Sequence, residues 1–243
     1  MIVMTMDQRG STTGPDRVGT LLEGLTAHGP ERGIVRPFQR TAGDEVQGLL
    51  DRPEAVVGIA LSAARSGHWS VGIGVGEVRE PMPRETRAGA GPAFEHAREA
   101  VERAKHSPGR VAVAAGQGPD TPEAGLVEAV EAGLQLLAEL EQRRSEEGQA
   151  AGRLVDAGMT QQEAARELGI SQQAVSARLR SGLWHESRRL ASVVSAMLED
   201  LDARSARSPR GDHPGGGTRD PEGGQRRDPR GDREPREHGG DAS

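Results

Sequence analysis

The chain of 243 residues sets 31 Lys and Arg against 37 Asp and Glu, a net charge of −6, and contains no cysteine and only 2% aromatic residues. A chain this acidic does not coat nucleic acid unspecifically, and the missing cysteines exclude disulfides, thiolate metal centres and a cysteine nucleophile. Length and uneven composition predict two small domains and a tail, with cores built from Leu, Val, Ile, Ala and Met.

Residues 2–6 form a short apolar run ending at Asp7 and predict a buried strand. Residues 17–27 place Val18, Leu21, Leu22 and Leu25 on one helical face. Residues 35–41 and 45–50 predict a hairpin pivoting on Ala42, Gly43 and Asp44, because Gly-Asp suits a tight turn. Pro53 opens a helix that runs to about Arg65 and carries Val56, Val57, Ala60 and Leu61. Residues 69–75 alternate as a strand whose glycines imply close backbone packing. Residues 92–105 predict an amphipathic helix and residues 111–114 a further strand. That order suits an antiparallel or mixed sheet with helices on one face, a ferredoxin-like α+β domain over residues 1–118.

From here the pattern turns helical. Thr121 caps and Pro122 starts a linker helix within residues 119–145, striped by Leu126, Val127, Val130, Leu134, Leu137 and Leu140. An all-α domain is expected over residues 146–203, opening with a supporting helix over residues 146–157. Within it Thr160 and Glu163 make a capping box, Ala164, Ala165 and Leu168 follow at helical spacing, and Gly169 ends the helix. Ser171 caps a second helix, striped by Val175 and Leu179, whose other face carries Gln172, Gln173, Ser176, Arg178 and Arg180. These side chains hydrogen-bond base edges or phosphates, as a helix in a major groove requires. Residues 158–190 hold five Arg against three Glu, a local reversal of the chain's sign. A plain helical hairpin with solvated Gln and Arg is the competing reading. After Trp184 a last helix bears Leu190, Val193, Val194, Met197, Leu198 and Leu201, wide enough to close its own domain or to pair two chains. Residues 204–243 are Gly, Pro, Arg and Asp without apolar periodicity and predict a disordered tail.

The stretch TQQEAARELGISQQAVSARL resembles the helix-turn-helix of bacterial regulators and sigma-factor-like domains. MTMDQRGST at residues 4–12, TAGDEVQGLL at 41–50 and SVGIGVGEV at 70–78 resemble the first-strand, Gly-Asp hairpin and glycine-rich-strand motifs of class III nucleotidyl cyclases. The combination, with GPAFEHAR between its halves, is most similar to the SatD family of bacterial proteins over residues 1–185. The cyclase resemblance implies that Asp7 and Asp44 hold a pair of magnesium ions over a nucleotide triphosphate, since hard carboxylate oxygens and the ions neutralise phosphate charge. It also places the family's transition-state Asn and Arg at Glu95 and Glu99, where carboxylates stabilise no developing anion, although a shift of one residue recruits Arg98. Read as structure alone, Asp7 ends a strand and Asp44 sits at a hairpin tip. His68 and His96 lack ligand spacing.

The expected protein is a cytoplasmic regulator of double-stranded DNA, a homodimer, with a degenerate cyclase-like domain as sensor or dimerisation platform. A metal-dependent cyclase or other nucleotide-processing enzyme, and an adaptor without DNA binding, stand as alternatives. No window reaches the ~18 apolar residues of a membrane span, and the start MIVMTMDQRG has no basic region before an apolar run. No membrane partner is expected.

Overall fold

The computed structural model describes residues 1–11, 14–26, 33–116 and 123–207. Alternation along the strands sets the layers. In β1 (Ile2–Gln8) the side chains of Ile2, Met4 and Met6 enter one core while Val3 enters another on the opposite face. The remaining strands are β2 (Ile34–Arg40), β3 (Glu45–Leu50), β4 (Trp69–Val75) and β5 (Val111–Ala115), in the sheet order β2-β3-β1-β4-β5. Every pairing is antiparallel except β4 with β5. The fold is therefore α+β on a five-stranded mixed sheet.

The parallel pair explains one departure from expectation. Parallel neighbours need a crossover, here α3 (Pro92–Ala104), and α3 lies on the face opposite the other helices. The sheet is thus covered on both faces rather than one. Gly72 and Gly74 permit this, because a Cβ on either would stand 2.2 Å from α3 backbone nitrogen or oxygen. Their neighbours Val71, Ile73 and Val75 point the other way, toward α2 (Pro53–Ser66), α4 (Ala124–Arg143) and α8 (Trp184–Ser205). There α1 (Val18–Thr26) adds Val18, with Leu21, Leu22 and Leu25 partly buried.

Two helices take other roles than their stripes suggested. Instead of linking two domains, α4 buries Val130, Leu134, Leu137 and Ala138 against β5, α2 and α8. The stripe of α8 folds inward onto this layer: Val194, Leu198 and Leu201 are buried there, Leu190 and Met197 partly, and Val193 stays 53% exposed. Residues 1–208 consequently form one compact unit, and the boundaries expected near residues 119 and 146 do not separate independent bodies. Helical spacing defines an apolar face but not what covers it. Replacing Val194 and Leu198 together with Glu is expected to unfold the chain rather than to split an assembly, because two carboxylates would enter a dry core. Circular dichroism checks this, and a folded variant of reduced mass would contradict it. The expected cap Thr121, Pro122 and the tail beyond residue 207 lie outside the described residues, and α8 itself runs to Ser205.

Candidate nucleic-acid interface

Three short helices follow α4, each started by a side chain that takes an orphan amide. Before α5 (Glu146–Asp156), Ser145 Oγ accepts from the Gly148 amide at 3.1 Å. Before α6 (Gln161–Glu167), Thr160 Oγ1 accepts from the Glu163 amide at 3.2 Å while Glu163 Oε2 accepts from the Thr160 amide at 2.8 Å, the reciprocal box read from the sequence. Gly169 takes a φ of +65° beyond α6, and Ser171 Oγ accepts from the Ala174 amide at 3.2 Å to open α7 (Gln172–Ser181). Ala151, Ala164, Ala165, Val175, Leu179 and Trp184 form their common core, with Leu168 and Ile170 packed at its rim.

That core fixes which side of α7 faces outward. Val175 and Leu179 are buried, whereas Gln172, Gln173, Ala177 and Arg180 are exposed. At ~100° per residue the middle of the outward stripe runs Gln173, Ala177, Arg180, with Gln172 and the half-buried Ser176 on one flank. Arg178 falls on the other flank, half-buried, and its charge acts on Glu147 of α5. The Glu147 carboxyl is held below its usual range first by its own backbone amide, then by Ser145, with Arg178 adding to both. Of the residues expected to meet DNA, Gln173 and Arg180 therefore stand on the outward stripe, Gln172 is exposed on its flank, and Ser176 and Arg178 are half-buried on the two flanks. Ala177 belongs at the centre, and its place was legible as the i+4 neighbour of Gln173. Helix α7 carries no Asp or Glu, and Arg180 forms no ion pair among the described residues.

A buried polar joint holds this helix group to the α/β layer. Glu141 Oε1 accepts from Arg144 at 2.5 Å and its Oε2 from Gln149 Nε2 at 2.6 Å, with all three side chains nearly fully buried. Arg144 also donates to the Gly182 carbonyl at 3.0 Å and to Ser187 Oγ at 3.0 Å. Its guanidinium lies 4.6 Å from the centre of the Trp184 ring, and that of Arg188 lies 4.4 Å from it. Trp184 Nε1 donates to Asp156 at 2.9 Å, so the edge of the ring is held as well. None of this joint was foreseen, because charged residues at a helix end ordinarily read as solvated.

The second expected site lies at the far end of β1. Asp7 faces Glu45 in β3 and Ser70 in β4, and the Gln8 amide donates to the Asp44 carbonyl at 3.3 Å, so the Gly-Asp turn does come beside Asp7. Burial pushes the Asp7 carboxyl above its usual range; the Lys105 ammonium opposes this, and Asp44, Glu102 and Glu45 add to it. Lys105 Nζ lies 3.7 Å from Asp7 Oδ2 and 2.7 Å from Glu102 Oε1. Glu45 is turned to the Thr41 hydroxyl at 2.5 Å. Among the described residues no three His, Asp or Glu side chains converge as a metal-binding group. Two carboxylates with an ammonium against one of them are a poor donor set for a divalent ion. On α3, Glu95, Arg98 and Glu99 are all exposed, and Glu99 lies 3.8 Å from Arg103.

Fold and site together define an α+β chain that presents a capped pair of short helices on a buried ionic joint, and no helix among the described residues is long and apolar enough to cross a membrane. No family model, no curated protein and no solved structure matches the chain.

Proposed function

We propose that this protein is a DNA-binding regulator that reads double-stranded DNA through a helix-turn-helix made by α6 and α7. The observation that carries the reading is the outward stripe of α7, where Gln173, Ala177 and Arg180, flanked by Gln172, face solvent without an acidic neighbour on the helix. Gln pairs with adenine N6 and N7, Arg with guanine or phosphate, and an Ala methyl with the thymine methyl. The first four strands, antiparallel in the order β2-β3-β1-β4, support a ferredoxin-like, cyclase-like platform, and the exposed Glu95 and Glu99 support its being degenerate. The same features support placing the chain with the SatD family. A homodimer suits this function, because one helix makes too few base contacts for a unique genomic site.

The intact chain must be used in the test, since a fragment over residues 146–203 would uncover the Val194, Leu198 and Leu201 face of α8. Selection of fragments from the source genome should recover a common sequence. At that sequence Arg180→Gln should weaken binding and reduce the slope of affinity against salt by about 1 if Arg180 meets phosphate. Gln173→Ala should instead relax preference at a single base pair. Recovery of no sequence above background at low salt would favour an adaptor without DNA binding. A cyclic product from ATP or GTP with Mn²⁺, lost in Asp44→Ala, would favour the enzyme.

A further inference from the structure

The cyclase-like motifs imply metal ions at Asp7 and Asp44, and the side chains around them point elsewhere. Thirty of the 31 Lys and Arg residues are Arg, and the one lysine, Lys105, stands just beyond the last turn of α3. There its amine reaches Glu102 at 2.7 Å and Asp7 at 3.7 Å, with a third of the side chain exposed. α3 brings it there because Gly72 and Gly74 let the helix lie on the sheet and carry its end over the Asp7 end of β1. An ammonium is a compact point charge with three donors, unlike the broad guanidinium fork used everywhere else in the chain.

We propose that the resident cation at Asp7 is the Lys105 ammonium, held between Asp7 and Glu102 where the motif would put a divalent metal ion. The site is thus closed with a cation from its own chain, and the platform keeps its shape independently of metal supply. Nothing in this inference depends on DNA binding.

The sequence offers a direct probe, because ¹³C-lysine labelling of the full chain gives a single ε-carbon resonance. That resonance should stay in place when Mg²⁺ is added to roughly 10 mM, far above the affinity of a working divalent site, and should move in Asp7→Asn. Mn²⁺ binding read by electron paramagnetic resonance should be negligible in the wild type. In Lys105→Met it should rise about tenfold or more, since a like charge next to the carboxylates is gone, and adding Asp7→Asn should abolish the gain. The inference is overturned by three results: a wild-type resonance that shifts with Mg²⁺, one that ignores Asp7→Asn, or a folded Lys105→Met that gains no Mn²⁺ binding. If Lys105→Met fails to fold, the two resonance measurements decide alone.

Discussion

Arg144→Ala is expected to cost about 3–5 kcal/mol, because it leaves the Glu141 carboxylate, at 4% exposure, without its close hydrogen-bonded partner and with only the exposed Arg65 guanidinium, 3.7 Å away, as a counter-charge. The same change removes the donors to Gly182 and Ser187 and one of the two guanidinium groups held against Trp184. For a chain of this size the melting temperature should fall by roughly 6–20 °C. A double variant that also removes the carboxylate, Glu141→Gln with Arg144→Met, should recover much of the loss, since a buried pair costs more to break than to replace. Urea unfolding of the two variants measures both effects. A loss within about 0.5 kcal/mol for Arg144→Ala, the range of an ordinary surface change, would mean that the joint is solvated in solution.

Gly74→Ala should be comparably damaging for a different reason. Its Cβ would stand 2.2 Å from both the Ala93 carbonyl oxygen and the Ala97 amide, and backbone cannot turn away as a side chain would. The helix must lift from the sheet, at or above the upper end of the ~1–3 kcal/mol typical of overpacking. Gly58 in α2 provides the control, because a Cβ there meets nothing within 4 Å. Gly58→Ala should leave stability unchanged or raise it by up to about 1 kcal/mol, through helix propensity. Thermal melts of the pair therefore separate close packing from the general cost of replacing glycine. Equal behaviour of the two would contradict the packing of α3 on β4.

The elements themselves were readable because each carries a local cause. Residues 69–75 alternate and form β4 over the same span, Pro53 starts α2, Gly43 with a φ of +55° turns the β2–β3 hairpin, and the Thr160–Glu163 box opens α6. What escaped was every feature set by long-range partners. The stripe on α8 announces an apolar face, but nothing local distinguishes a second chain from the α2 and α4 layer that covers it. The crossover helix α3 was placed in sequence but not on its own side of the sheet, because strand direction is decided by pairing rather than by pattern. The candidate reading helix was legible to within one turn. Caps and the Val175–Leu179 stripe define its inner side, whereas the position of Arg178, whose charge acts on Glu147 of α5, depends on the packing of a helix distant in sequence. Lys105 was conspicuous as a lone lysine, yet its approach to Asp7 follows only from the seating of α3 on Gly72 and Gly74.

If α7 reads DNA, its exposed side chains carry the sequence preference. A fluorescence-anisotropy titration of the intact chain on its best recovered genomic sequence tests it, against a variant carrying Gln172→Ala, Gln173→Ala and Arg180→Ala. All three side chains are exposed, so the variant should melt like the wild type. Wild-type binding should exceed binding to scrambled duplex by at least about 10³-fold, and the variant should lose nearly all of this preference. Equal binding of the two proteins to the recovered sequence would contradict reading by α7.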